Sequence, residues 1–129
     1  MAGMSPPSVT IHLHEDVDVV RARQAAIALG MECGFDVQAR ARLDLVVAEL
    51  ASNVVYHAGR GRITMFVRHD DRPAVWIDCT DSGPTARNRP PHRSAGLGLG
   101  LGAARELADG LMLQPGVDGG TRVEAVVRG

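Results

Sequence analysis

The chain has 129 residues, 45% hydrophobic and 22% charged, with 15 acidic against 14 basic side chains, proportions that fit one globular domain and not a two-domain enzyme. A net charge of −1 leaves no electrostatic footprint for nucleic acid, the apolar stretches fall well short of the ~20 residues a membrane-spanning helix needs, and residues 1–7 lack the basic and apolar regions of a secretory signal, so neither nucleic acid nor membrane is an expected partner and the expected location is cytoplasmic. Every basic residue is arginine, which excludes P-loop and protein-kinase-fold schemes, both of which place a lysine on the nucleotide phosphates, and excludes Schiff-base chemistry as well.

Residues 9–14 (VTIHLH) alternate apolar and polar side chains and read as a first strand. Glu15, Asp16 and Asp18 then supply the negative charge that a helix N-terminus favours, and Val17, Val20, Ala25, Ile27 and Ala28 carry the apolar pattern of a first helix toward Gly30 or Gly34. After a break at 35–38, residues 39–56 predict a second helix, with Leu43, Val46, Val47, Leu50 and Val54 at helical spacing. Residues 63–68 and 74–80 alternate on either side of the turn Asp70-Asp71-Arg72-Pro73 and form a hairpin. Residues 82–95 (SGPTARNRPPHRSA) hold three prolines and no periodicity, a long loop of the kind that serves as a lid. The run GLGLGLG at 96–102 leads into AARELAD, where Leu101, Ala104, Leu107 and Ala108 make the apolar face of a third helix that Gly110 stops. A last hairpin, 111–114 and 121–127, sets Thr121, Val123, Ala125 and Val127 on one face.

The order β α α β β, loop, α β β predicts a two-layer α/β sandwich, a mixed, mostly antiparallel sheet covered on one face by about three helices. It forms a single domain over 1–129, with 1–7 as a disordered tail. Cys33 and Cys79 lie 46 residues apart, which is not a metal-ligand spacing, and read as small buried thiols.

On the second helix, Glu49, Asn53 and His57 recur at i, i+4 and i+8, a polar stripe running from the flank into the face that should be buried. Each alone reads as a hydrogen-bonded group at the core edge. Together, a carboxylate and a carboxamide one turn apart are oxygen ligands suited to Mg2+ and its waters, and the carboxylate can take a proton. Asp81 closes an apolar strand before Ser82-Gly83-Pro84, either as a turn former or as an acceptor for a ligand amino group. Gly96, Gly98 and Gly100 directly before a helix offer backbone N–H groups to phosphate, or a hinge. The short Rossmann pattern Gly98-x-Gly100-x-x-Ala103 needs a strand immediately before it, and NRPPHRSA stands there instead. Gly119-Gly120-Thr121 opens the last strand as a tight turn or as a hydroxyl close to a ligand.

The series Glu49-x-x-x-Asn53, Asp81-x-Gly83, Gly96-x-Gly98-x-Gly100 and Gly120-Thr121 resembles the N, G1, G2 and G3 boxes of the GHKL ATPases, whose nucleotide-binding fold is the Bergerat fold, over about residues 8 to 128. Within that superfamily, ELASNVVYHAGRG and AGLGLGLGAARELAD followed by GGTRVEAVV resemble the anti-sigma and switch serine/threonine kinases, the RsbT branch above all. The resemblance implies ATP and Mg2+ as cofactors, Glu49 as general base, Asn53 as the metal ligand, and Asp81 on the adenine amino group with Gly83 and Thr121 beside it. It further implies Gly96, Gly98 and Gly100 on the phosphates, His57 in the cofactor site, and 82–95 as the ATP lid. The implied function is a protein serine/threonine kinase of a partner-switching module. Its substrate would be a STAS-domain antagonist, with a sigma factor or a phosphatase as the controlled output. A nucleotide-binding anti-sigma or partner-binding regulator without turnover is the alternative. One departure stands in the G1 box, where Thr85 replaces the second glycine of Asp-x-Gly-x-Gly.

Overall fold

The first chain reversal is built around one carboxylate. In the computed structural model, which describes residues 8–81, 101–116 and 119–129, strand β1 (Ser8–Leu13) is followed almost at once by helix α1 (Asp16–Glu32). The backbone N–H groups of His14 and Glu15 both donate to Asp18 Oδ2, at 3.0 and 2.9 Å. N–H groups at a helix start have no intrahelical acceptor, and the buried Asp18 supplies one.

Helix α2 (Val37–Asn53) begins two residues before the predicted 39 because Asp36 accepts the Ala39 N–H at 2.8 Å and caps it. Its Leu43, Val46, Val47 and Leu50 are at most 1% exposed, as the spacing requires. Helix α1 departs from expectation: Val17, Val20 and Ile27, read as its apolar pattern, face outward at 49%, 48% and 39% exposure, while Ala22, Ala26, Leu29 and Gly30 are buried. Close packing on α2 explains the reversal. Ala22, Ala26 and Gly30 recur every four residues as a row of small side chains, and a Cβ at Gly30 would already stand 3.3 Å from Arg40 Cγ and 3.5 Å from Leu43 Cδ2. Helices that approach this closely need the small row at the contact.

The second helix also ends differently from a plain α-helix. At Asn53 the bonding gives way to one π turn, Val54–Ala58, closed by the Gly59 N–H donating to Val54 O at 2.8 Å. Gly59 sits at φ 88°, the left-handed conformation that glycine adopts without steric penalty.

Strands β2 (Gly61–His69), β3 (Pro73–Asp81), β4 (Gly110–Pro115) and β5 (Thr121–Arg128) join β1 in the order β1-β2-β3-β5-β4. All four pairings are antiparallel, so the mostly antiparallel sheet is antiparallel throughout its described strands. Alternation puts Ile63, Met65 and Val67, then Val75, Ile77 and Cys79, then Val123, Ala125 and Val127 into the core shared with α2. A third helix, α3 (101–107), buries Ala104 completely and packs Leu101 and Leu107 against the same core. The result is the two-layer α/β sandwich. The expected tail (1–7), the lid (82–95) and the glycine run up to residue 100 lie outside the described residues.

Candidate functional site

Where the end of α2 meets the ends of β3 and β5, glycine allows an unusually close approach. A Cβ on Gly61 would collide with the Thr80 carbonyl oxygen and stand 2.7 Å from Val54 Cγ1 and 2.9 Å from Asp81 Cα. The π turn therefore seats directly over the first residue of β2. Beside it opens a cavity of about 140 Å³, walled by Leu50, Asn53, Val54, His57 and Ala58 on the helical side and by Cys79, Asp81, Thr121 and Val123 on the sheet, with Leu101 and Leu113 completing it.

Of the residues singled out in the sequence, Asn53, His57, Asp81 and Thr121 share this wall. Glu49 does not: it is half-buried, one turn before Asn53, and stands outside the wall. Gly83, Gly96, Gly98, Gly100 and Thr85 lie outside the described residues. A regular wheel places His57 inside the apolar face of α2, but each residue of a π turn advances by less than 100°, so His57 swings back toward the flank that carries Asn53.

Two polar groups give the cavity its chemistry. Asn53 Nδ2 is buried and has no hydrogen-bond partner among the described residues, a condition that costs about 1–3 kcal/mol unless a ligand relieves it. The carboxamide presents a donor at one end and an oxygen at the other, so it can serve an anion or, turned over, a cation. Asp81 Oδ1 accepts the Thr121 N–H at 3.1 Å, which fixes the carboxylate at the mouth of the β3–β5 ladder. Apart from His57, Thr121 and Cys79 the rest of the wall is aliphatic, and an apolar slot with a few convergent polar groups at its edge suits a flat heteroaromatic ring.

Cys79 belongs to that wall, a feature that the reading of it as a small buried thiol did not anticipate. Its Sγ–H donates to Leu50 O at 3.8 Å, and burial, with the negative charges of Asp81 and Asp78 behind it, pushes the thiol far above its ordinary range. It is therefore a neutral, compact wall residue. Strand alternation alone could have found it, since it lies two residues before Asp81 on the same face. The aliphatic wall residues Leu113 and Ala58 carry no comparable signal.

Fold and cavity together define an ATPase domain of the histidine-kinase type. Residues 13–127 match the family model for the histidine kinase-like ATPase domain, and the chain belongs to that family of ATP-using domains. One relative is the serine/threonine-protein kinase RsbT of Bacillus subtilis (strain 168), 29% identical over 126 residues, covering 90% of this chain and 92% of that protein. The fold is also that of a solved structure of the RsbU and RsbW domains of a Mycobacterium tuberculosis protein, with a TM-score of 0.72 at 19% identity. The match covers 95% of this chain and spans about a third, 32%, of the other. No helix among the described residues is long and apolar enough to cross a membrane.

Proposed function

We propose that the protein is a cytoplasmic ATP-dependent serine/threonine protein kinase of a partner-switching module. It phosphorylates a STAS-domain antagonist and thereby controls a sigma factor or a phosphatase. The observation that carries this reading is the buried Nδ2 of Asn53, without a hydrogen-bond partner among the described residues, in the same wall as the Asp81–Thr121 pair. That pairing offers one end of a cavity to phosphate and metal and the other to a base. Bound MgATP supplies the phosphoryl group, and the metal neutralises its charge.

Asp81 accepts from the adenine amino group, Gly83 lets the base approach the backbone, and Thr121 adds its hydroxyl. Asn53 holds the metal through its oxygen. A single carboxamide oxygen would fill one position of a Mg2+ shell, which takes the remainder of its oxygen ligands from elsewhere. His57 lines the phosphate side. Gly96, Gly98 and Gly100 give N–H groups to the phosphates at the start of α3. The whole of 1–129 acts as one domain, with 82–95 as its lid and Thr85 at the lid hinge.

Glu49 removes the proton from the partner's hydroxyl as the phosphoryl group moves. A regulator that binds nucleotide and partner without transfer is the second reading, favoured by the position of Glu49 outside the cavity wall. Glu49→Gln separates the two. The variant is expected to bind MgATP and the STAS partner as the wild type does, and to lose phosphorylation by ~100-fold or more, measured with γ-labelled ATP. Wild-type protein that transfers no phosphate, while its complex with the partner still depends on nucleotide, selects the regulator.

A further inference from the structure

A single guanidinium joins three elements far from one another in sequence. Arg42, on α2, donates from Nη1 to Leu107 O at 3.3 Å and to Asp109 Oδ2 at 3.4 Å, and from Nη2 to Arg128 O at 2.8 Å. Asp109 closes the knot, since its Oδ2 accepts the Arg128 N–H and its own N–H donates to Val126 O at 2.8 Å. Leu107 is the last residue of α3 and Arg128 the last of β5. A helix C-terminus leaves carbonyls without intrahelical donors and carries partial negative charge, so a cation at Leu107 O satisfies both. The planar fork of arginine reaches its three acceptors from two nitrogens held apart in a fixed plane, whereas the three donors of an ammonium fan out from a single atom.

We propose that Arg42 is a positioning residue that sets α3 in register on α2 and thereby tunes the affinity for the phosphates of the nucleotide without touching the adenine end. The proposal rests on the reading above, in which the start of α3 faces phosphate. The remaining described support of α3 is apolar, chiefly Ala104 with Leu101 and Leu107 against the core. Apolar burial is non-directional: it holds the helix down but does not stop it from sliding or turning. The hydrogen bonds of Arg42 are directional, and they start from the same rigid helix that carries Glu49 and Asn53. Asp81 and Thr121 are held separately, by the β3–β5 ladder and by their own hydrogen bond. Loosening Arg42 therefore shifts the phosphate side relative to Asn53 while the adenine side stays in place.

The test uses the full chain and two variants, Arg42→Met and Arg42→Lys, with adenosine, ADP and MgATP as ligands. For Arg42→Met the Kd of ADP and MgATP is expected to rise about tenfold, equivalent to roughly 1.4 kcal/mol, while adenosine affinity changes less than about twofold. Phosphoryl transfer shows the same split, with KM for ATP raised and kcat unchanged. Arg42→Lys keeps the charge but not the fork, and falls between the two. It also carries the test if the methionine variant does not fold. Equal weakening of adenosine and ADP reduces Arg42 to a structural role and overturns the proposal, and so does unchanged ADP affinity in a folded variant. Wild-type protein that binds neither adenosine nor ADP overturns the nucleotide reading as well, so the two failures are distinguishable.

Discussion

Helices α1 and α2 are the same length, 17 residues each, and stand in opposite relation to the core. Both lie on one face of the sheet, α1 against β1 and β2 and α2 against β3 and β5, and the leucines and valines of α2 fill the space between helices and strands. α1 covers the edge of the sheet at β1, meets α2 along the small residues Ala22, Ala26 and Gly30, buries Leu29 beside them, and leaves Val17, Val20, Ile27 and Met31 exposed. Hydrophobic residues at helical spacing occur in both, so content does not decide burial; the place of a helix over the sheet, at its centre or at its edge, does. The site follows from the same difference. The helix that lies on β3 and β5 is the one that can carry a flank past their ends, and it is the end of α2, widened by the π turn, that meets Asp81 and Thr121.

The comparison breaks most easily at the centre of α2. Leu43→Ala removes a fully buried side chain from the core between the helices and the sheet and is expected to cost about 2–5 kcal/mol of stability, read from urea unfolding monitored by circular dichroism. A loss under about 1 kcal/mol would mean that α2 does not form the centre of the core. The α1–α2 seam should fail in the other direction. Ala26→Leu adds volume where the helices approach most closely and is expected to destabilise by about 1–3 kcal/mol through overpacking. A neutral result in the same unfolding assay would show that α1 can lift from α2 at little cost.

A smaller effect concerns the start of α1. The Glu15 N–H, with further help from the His14 N–H and Arg21, holds the Asp18 carboxyl below its ordinary value of 3.8. A carboxyl with a depressed folded-state pKa adds stability that is complete above the unfolded value and is lost as pH falls through the folded one. Wild type is therefore expected to lose stability below pH 3.8, and Asp18→Asn to flatten that acid limb, so that the two curves converge as pH falls. Parallel curves down to the lowest pH would remove Asp18 from the account of acid sensitivity.

The inner face of α2, the two hairpins and the layer order were legible in the sequence because hydropathy period and burial coincide there. In α1 they diverge: alanine and glycine carry little hydropathy, so the seam that packs is quieter than the valines that do not. The π turn was not legible either, since VVYHA has the composition of an ordinary helix end, and the close approach at Gly61 is dictated by tertiary geometry. For the site, polar residues at unusual places were the readable part, as Asn53 and Asp81 show. The place of Glu49 outside the wall depends on the exact turn of the helix, and the aliphatic residues that shape the cavity look in sequence like any other core.

The smallest effect is the most discriminating for α1. Ile27 is 39% exposed, yet its spacing in the sequence is that of a core position. Were it core, Ile27→Ser would strip a buried side chain and leave a hydroxyl to be satisfied, at a cost of several kcal/mol. On the outward face, the folded chain loses only partial contacts, and serine returns part of that by hydrating better than isoleucine does. The expected change is within about 0.5 kcal/mol, in the same assay that registers Leu43→Ala. Ala22→Ser, one row inward, supplies the internal control, because it puts a single hydroxyl into a seam with no exposure at Ala22. If Ile27→Ser were the costlier of the two, α1 would have to be turned about its axis, and the small-residue seam with it.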